Sequence, residues 1–331
     1  MMISINHDRI VNLADLFSRA VRSMQIDDFT DTDYYPPRDA DRETVTMYFL
    51  VMVAMDHRLS RPGKPYEAVI DGKVYHGADL LYKLGSLKLR RDPEFFTAER
   101  LASINRDELL KWLSIGKVKP PDIDVRVKLL RDIGVKLLKL YNGSAYAIVE
   151  ESRGYLRRGV GEGLIDLLKV FSAYQDPVEK KAFLLAKFLE RRMVVRFNDP
   201  YNKEVPVDNH LVRIALRLGM VSVDGNTIER IRLKIDFDWR EDVALRLAVR
   251  QAYKLLAAYS GLDPFILDDF LWLFGRRCCL TENPVCKVGC NDRCSAIGGC
   301  LETCIFKDRC LAYGNSKYMI PEHRFLRTWW Y

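Results

Sequence analysis

The first 277 residues of this 331-residue chain contain no cysteine, and all eight cysteines lie between Cys278 and Cys310. The chain also lacks a long apolar segment, since its longest charge-free apolar run, VTMYFLVMVAM, is much shorter than the about 20 residues of a membrane-spanning helix. The start of the chain has no basic-then-apolar signal pattern, because Asp8 and Asp15 interrupt it. These absences predict a soluble cytoplasmic protein, and a chain of this length needs no dense disulfides to hold a core.

Charge of neither sign dominates. The chain has 52 lysines and arginines against 45 aspartates and glutamates, for a net charge of +7. A basic chain suits a polyanionic partner such as nucleic acid, whereas the spread of both signs also fits a plain solvated surface. Charge alone leaves both interpretations open.

Apolar residues recur at spacings of three and four through most of the chain, which indicates amphipathic helices. The pattern is clear in NLADLFSRAVRSM, RVKLLRDIGVKLLKLY and DVALRLAVRQAYKLLAAYSG. One stretch, YEAVIDGKVYHG at 66–77, favours strands, because β-rich arms flank the turn-forming pair Asp71-Gly72. We therefore predict a mainly α fold with one small β-hairpin.

Breaks rich in proline, asparagine and aspartate divide the helical segments at DYYPPRD, KVKPPDID and RFNDPYNKEVP. We expect three regions. An N-terminal helical region with the hairpin spans 1–120, a central helical region spans 121–275, and a cysteine-rich loop with the C-terminal tail spans 276–331.

The cysteine spacing favours a metal centre. Cys278 and Cys279 are adjacent, and the intervals that follow are x6, x3, x3, x5, x3 and x5, reaching Cys286, Cys290, Cys294, Cys300, Cys304 and Cys310. No Cys-x2-Cys pair occurs, although structural zinc sites typically use such short knuckles. Iron-sulfur clusters need four thiolates and tolerate more varied loops, so zinc is the second choice.

Two stretches, WLFGRRCCLTENPVC and the later CIFKDRCLAY, resemble the iron-sulfur loop of the endonuclease III and adenine-glycosylase branch of the helix-hairpin-helix DNA glycosylases. That family has the spacing Cys-x6-Cys-x2-Cys-x5-Cys, and this chain matches its first and last intervals, with 17 residues in place of the middle two. The resemblance implies one 4Fe-4S cluster on Cys279, Cys286, Cys304 and Cys310. A compact alternative set uses Cys279, Cys286, Cys290 and Cys294, and the four surplus cysteines would form a disulfide, bind a second metal or stay free.

The stretch VPVDNHLVRIALRLGMV resembles the "VDxHVxRxxxRLGL" pattern of the same superfamily, in which an aspartate at a helix start is catalytic. Asp208 occupies that position. An aspartate there caps free backbone amides and can face positive charge on a sugar in the transition state. A plain N-cap is the alternative interpretation. His210, one turn into the helix, is expected to bond locally and not to act as a base.

Upstream, FSAYQDPVEKKAFLLAKFL stands where that superfamily has its hairpin and second helix. Bifunctional members of the superfamily carry a nucleophilic lysine at the start of that helix. Lys180 matches this lysine, and Lys181 is its neighbour. The alternative interpretation is that both lysines belong to a solvated helix start. Tyr174 and Asp176 are candidate substrate contacts, although a turn role before Pro177 also explains Asp176. The glycines of the family's hairpin, which let backbone amides approach a DNA phosphate, are absent from this stretch. Their absence argues against duplex DNA binding by this hairpin.

The segment from about 43 to 225 also resembles the queuosine salvage proteins, which are helical nucleosidases. The shared stretches are YEAVIDGKVYHGADLLYKL, RVKLLRDIGVKLLKLYNGSAYAIVEESRG, FSAYQDP and the aspartate ahead of the "R-x-L-G" run, Asp208. Both resemblances imply cleavage of an N-glycosidic bond between a sugar and a base.

Three functions follow as hypotheses. The first is a monomeric DNA glycosylase in base excision repair, with Asp208 and Lys180 catalytic. The second is a nucleosidase on a free modified nucleoside or nucleotide. The third is a non-catalytic nucleic-acid-binding protein with an iron-sulfur or zinc module.

Overall fold

A computed structural model describes residues 1–61 and 63–331 of the chain. The fold is mainly α, as predicted. The α-helices are α1 His7–Arg22, α2 Arg42–Met55, α3 Ala78–Arg91, α4 Ala98–Ser103, α5 Arg106–Leu113, α6 Ile123–Leu140, α7 Tyr146–Glu151, α8 Leu164–Leu167, α9 Lys180–Arg191, α10 Asn209–Leu218, α11 Gly225–Arg232, α12 Trp239–Ser260, α13 Pro264–Arg277, α14 Val285–Val288, α15 Asp292–Ser295 and α16 Leu311–Gly314. The strands are β1 Ile3–Ile5, β2 Glu67–Ile70, β3 Lys73–His76 and β4 Val221–Val223.

The predicted hairpin is confirmed. Strands β2 and β3 pair antiparallel, with Glu67 opposite His76 and Ile70 opposite Lys73. The two turn residues, Asp71 and Gly72, have φ of 51° and 78°, and positive φ at both central positions suits the right-handed twist of a two-residue hairpin. The sequence pattern did not predict the second antiparallel pair, β1 with β4, because strands of three residues are too short to show a period.

The chain forms two compact units. The first unit comprises Met1–Ile26 and Lys203–Thr328, and the second comprises Asp27–Asn202 and Trp329–Tyr331. The three regions predicted from the sequence do not coincide with these units, because the first unit combines a segment that precedes Asp27 in the chain with one that follows Asn202.

The core of the first unit lies between α1, α10, α12 and α13. Four phenylalanine rings pack against one another in it: Phe17, Phe270, Phe274 and Phe306. Phe306 comes from the cysteine-rich segment, and Cys278, Cys294, Cys300 and Cys304 are buried in the same core. The cysteine-rich segment is therefore part of this core and not a separate appendage.

The second unit is built around α2, which packs against α6 and α9. Every residue from Val45 to Met55 is buried, so the apolar run noted in the sequence is a helix that is apolar on all sides. Helices α4 and α6 approach closely at Gly134, where a Cβ would lie 2.5 Å from the carbonyl oxygen of Ala98. None of the helices in the described part of the chain combines the length and apolar character that crossing a membrane requires.

Candidate catalytic residues and cysteine centre

Asp208 begins α10 as its N-cap, and the helix ends at Gly219, which has a φ of 77°. The Oδ1 atom of Asp208 accepts a hydrogen bond of 3.0 Å from the backbone amide of Leu211. The residue is half-buried, so its carboxylate combines the capping role with partial access to solvent. The cap and the candidate catalytic role are compatible, because only one of the two oxygens is used by this cap bond.

Helix α10 directs two buried arginines toward the cysteine-rich segment. The guanidinium of Arg213 donates to the carbonyl oxygens of Gly275 at 2.8 Å and Cys279 at 2.7 Å, and it forms an ion pair with Glu322. His210 lies 3.5 Å from the same Glu322 carboxylate, which belongs to a distant part of the chain. The helix that begins at Asp208 therefore also holds the segment that carries the cysteines.

The eight cysteines divide into two groups of four. Disulfides join Cys278 to Cys294 and Cys290 to Cys300. The free cysteines are Cys279, Cys286, Cys304 and Cys310, the four that the iron-sulfur resemblance selects. The compact alternative set is not available as four free thiols, because two of its members, Cys290 and Cys294, are in disulfides. The four surplus cysteines therefore form two disulfides.

The four free thiols influence one another electrostatically. Burial is the main cause that raises the pKa of Cys304 to about 12, and the other three thiols raise it further. Burial likewise raises the pKa of Cys310 to about 11, and Cys279 and Cys286 add to that effect. Burial and then Cys279 raise the pKa of Cys286. Every pair among the four is thus close enough to interact, and binding a metal would have to displace protons from these thiols.

The arrangement of these side chains is not that of a single-ion site. In the described part of the chain, no group of three or more His, Cys, Asp or Glu side chains could hold a metal ion as it stands. The ligand assignment therefore remains a prediction.

The 17-residue segment between Cys286 and Cys304, which contains the insertion, is closely packed. A Cβ on Gly299 would lie 2.5 Å from Sγ of Cys278 and 2.9 Å from Sγ of Cys294. Gly298, with a φ of 70°, lies directly against Ala20 and Ser23 at the end of α1. The two glycines let the insertion pack against α1 and against the first disulfide at once.

The predicted substrate contacts, Tyr174 and Asp176, lie in the second unit and are hydrogen-bonded within it. Asp176 accepts hydrogen bonds of 3.0 Å from the amides of Val178 and Lys180, so it fixes the start of α9. Tyr174 is fully buried, and its hydroxyl donates to the carbonyl oxygen of Leu50 at 2.7 Å. The turn role considered for Asp176 is thus present in the structure.

The two lysines at the start of α9 have different surroundings. The Nζ atom of Lys180 lies 3.8 Å from a carboxylate oxygen of Asp56. Lys181 is fully buried, and its Nζ lies 2.6 Å from the carbonyl oxygen of Ala54 and 3.3 Å from Nδ1 of His57. Burial, above all, holds the pKa of Lys181 well below its usual value, and it lowers the pKa of His57 in the same way.

The structure brings Tyr174, Asp176 and Lys180 together in the second unit, while Asp208 and the cysteines belong to the first. Sequence reasoning missed Asp56 and His57, which directly follow the buried helix α2. Their contact with the α9 lysines depends on the packing of α2 against α9, and no local pattern encodes that packing.

Comparison with known proteins gives a distant likeness. No family model and no curated protein matches the chain. Among solved structures, the chain is similar to an 8-oxoguanine DNA glycosylase from Pyrobaculum aerophilum, determined in complex with 8-oxoguanosine. The sequence identity is 16% and the TM-score is 0.47, over 88% of this chain and 95% of the other.

Proposed function

We propose that this chain is an N-glycosidase of the helix-hairpin-helix type that removes a base from DNA and carries a 4Fe-4S cluster. The observation that carries the proposal is the role of α10. One end of this helix is capped by Asp208, and its buried arginines hold the segment with the four free thiols. The two motifs that resemble one superfamily, far apart in sequence, thus meet in one unit.

The proposed reaction breaks the bond between C1′ of the sugar and the base nitrogen. The electron pair leaves with the base, which takes up a proton, and water adds to C1′ with loss of a proton. Positive charge develops on the sugar, and the carboxylate of Asp208 would oppose it and orient the water. The capping bond from Leu211 holds that carboxylate in place before substrate binds.

Lys180 is proposed as the residue for an additional lyase activity, in which its neutral amine attacks C1′ and displaces the base, which leaves with the bonding electron pair and a proton. The C1′–O4′ bond of the sugar then breaks as a C1′=N bond forms, and the ring oxygen takes up the proton that the amine loses. Its Nζ lies near Asp56, whose carboxylate would keep the side chain in position. Borohydride reduction in the presence of a substrate duplex should trap a covalent adduct, and Lys180→Ala should abolish it. An adduct that persists in Lys180→Ala would reject this lysine as the nucleophile.

Cys279, Cys286, Cys304 and Cys310 would hold the cluster. The fit rests on their being the four free thiols and on their place in or against the same core of the first unit. The group would supply rigidity to the cysteine-rich segment and a one-electron couple, and it takes no part in the glycosidic step. Iron and sulfide analysis tests this: Cys304→Ser should lose iron, whereas Cys290→Ser with Cys300→Ser should retain it. Stoichiometric zinc without iron would contradict the assignment.

A nucleosidase acting on a free modified nucleoside is the second candidate, and the hairpin region favours it. The amide of Ser172 already donates to the carboxylate of Asp132 at 2.7 Å, and the amide of Tyr174 donates to the carbonyl oxygen of Phe171 at 2.9 Å. Amides engaged in this way cannot grip a DNA phosphate. A non-catalytic nucleic-acid-binding protein is the third candidate.

One experiment separates the three. Wild type and Asp208→Asn are incubated with duplexes that carry damaged bases and with free modified nucleosides, and released base is quantified. Release from duplex supports the first function, release from free nucleosides alone supports the second, and release from no substrate supports the third.

A further inference from the structure

Arg217 lies in the interior of the first unit with about 1% of its surface exposed. Its Nε donates to the carbonyl oxygen of Ile320 at 2.9 Å, and its two terminal nitrogens donate to the carbonyl oxygens of Leu280 at 2.6 Å and Thr281 at 2.9 Å. The guanidinium therefore fixes the backbone that directly follows Cys279, together with the later segment at 320.

The same residue touches a thiol on each side of the insertion. Its Nη1 donates to Sγ of Cys279 at 3.4 Å, and its backbone carbonyl oxygen accepts from the thiol of Cys310 at 3.4 Å. These are the first and the last of the four free cysteines. Arg217 thus joins the two ends of a ligand set that 30 residues of chain separate.

The charge of Arg217 has no carboxylate partner within the described residues. Its neighbour on α10, Arg213, is balanced by Glu322, but the contacts of Arg217 are to carbonyl oxygens and to sulfur. A buried cation without an anion is costly. Four thiolates around a cluster core would supply a net negative charge beside this guanidinium, and each would lower the cost of burying the other.

We infer that Arg217 is a positioning residue for the cluster, whose guanidinium donates to the Cys279 thiolate and compensates the negative charge of the ligand set. The contact with Cys310 belongs to its protonated thiol and is given up when that sulfur binds iron. This inference rests on the proposed cofactor. A nearby positive charge and a hydrogen bond to a ligand sulfur both favour the reduced, more negative state of an iron-sulfur cluster. Arg217 should therefore raise the midpoint potential as well as retain the iron.

The test compares wild type with Arg217→Gln, Arg217→Lys and a control, Arg230→Gln, which lies in the same unit and pairs with Glu241. Iron release to a chelator and the midpoint potential of the one-electron reduction, titrated with dithionite, are measured on intact protein. Arg217→Gln should release iron about 10- to 100-fold faster than wild type, the usual effect of losing such a supporting contact. Its midpoint potential should become more negative, while Arg230→Gln should match wild type in both.

Arg217→Lys keeps the charge and loses the planar fork of donors. It should release iron faster than wild type with a midpoint potential close to it, and it serves alone if the glutamine variant does not fold. Iron release rates and midpoint potentials equal to those of wild type in a folded variant would overturn the inference without contradicting the proposed cofactor. Absence of iron from wild type would instead reject the cofactor itself, and with it the inference.

Discussion

Lys181 provides a test of the electrostatics at the start of α9. The folded chain keeps this amine out of water, against the carbonyl oxygen of Ala54 and the ring of His57. Its pKa is held well below the usual value, chiefly by burial. In an unfolded chain the same lysine has a pKa of about 10.4 and binds a proton throughout the neutral range.

The sign of the pH effect follows from this difference. Between the lowered pKa of the folded state and about pH 10.4, only the unfolded chain carries the proton, so Lys181 lowers stability as the pH falls. The slope within that interval is about 1.4 kcal/mol per pH unit. Above about pH 10.4 neither state is protonated at this position, and the effect ends.

Lys181→Met removes the titrating group and preserves most of the side-chain volume. It also removes the hydrogen bond from Lys181 to the Ala54 carbonyl oxygen, at a cost of about 1–3 kcal/mol that does not depend on pH. We therefore expect the unfolding free energy of wild type, minus that of the variant, to increase by about 1.4 kcal/mol from about pH 8 to about pH 9. Urea titrations followed by circular dichroism at the two pH values measure this difference.

Subtracting the value of the variant from that of wild type cancels the contribution of every titrating group that both proteins share. The free cysteines are among these groups, and their raised pKa values make the unfolding free energy fall with pH over the same range. Lys128→Met is the matched control, because this α6 side chain is exposed and meets water in both states. A difference for Lys181→Met that is the same at both pH values would refute the argument that Lys181 is neutral when folded.

Two further outcomes are expected. Gly134→Ala should destabilise the second unit by about 1–3 kcal/mol, since the new methyl would lie 2.5 Å from the Ala98 carbonyl oxygen. Gly314→Ala is the control, because the space around Gly314 is open. A melting temperature of Gly134→Ala equal to that of wild type would contradict the close α4–α6 packing. Alkylation of unfolded, metal-free protein should label four cysteines before reduction and eight after it, and labelling of all eight without reduction would contradict the disulfides.

Some of the structure was readable from local signals. The Asp71-Gly72 pair predicted the hairpin because it needs positive φ at both positions, and α10 was predicted with Asp208 at its start because helix N-caps have a strong sequence preference. The apolar run VTMYFLVMVAM was too short for a membrane-spanning helix, and the structure shows it as part of the buried helix α2. In each of these cases a few adjacent residues contain the physical cause.

The remainder depends on contacts between distant segments. Spacing could not assign the disulfides of Cys278 and Cys290, because many pairings are compatible with one sequence. Nor could it place Asp56 beside Lys180, or show that Trp329 donates to the carbonyl oxygen of Ser172 at 3.0 Å.

The central claim is that Asp208 serves a glycosidic reaction and is more than a cap. Single-turnover base release by Asp208→Asn tests it directly, because asparagine caps a helix as well as aspartate does and the variant loses only the charge. Asp224→Asn is the matched control, since Asp224 caps α11 by accepting from the Thr227 amide at 2.9 Å. We predict that Asp208→Asn lowers the rate by about 10²- to 10³-fold while Asp224→Asn leaves it unchanged. Equal rates for wild type and Asp208→Asn would contradict the proposed function.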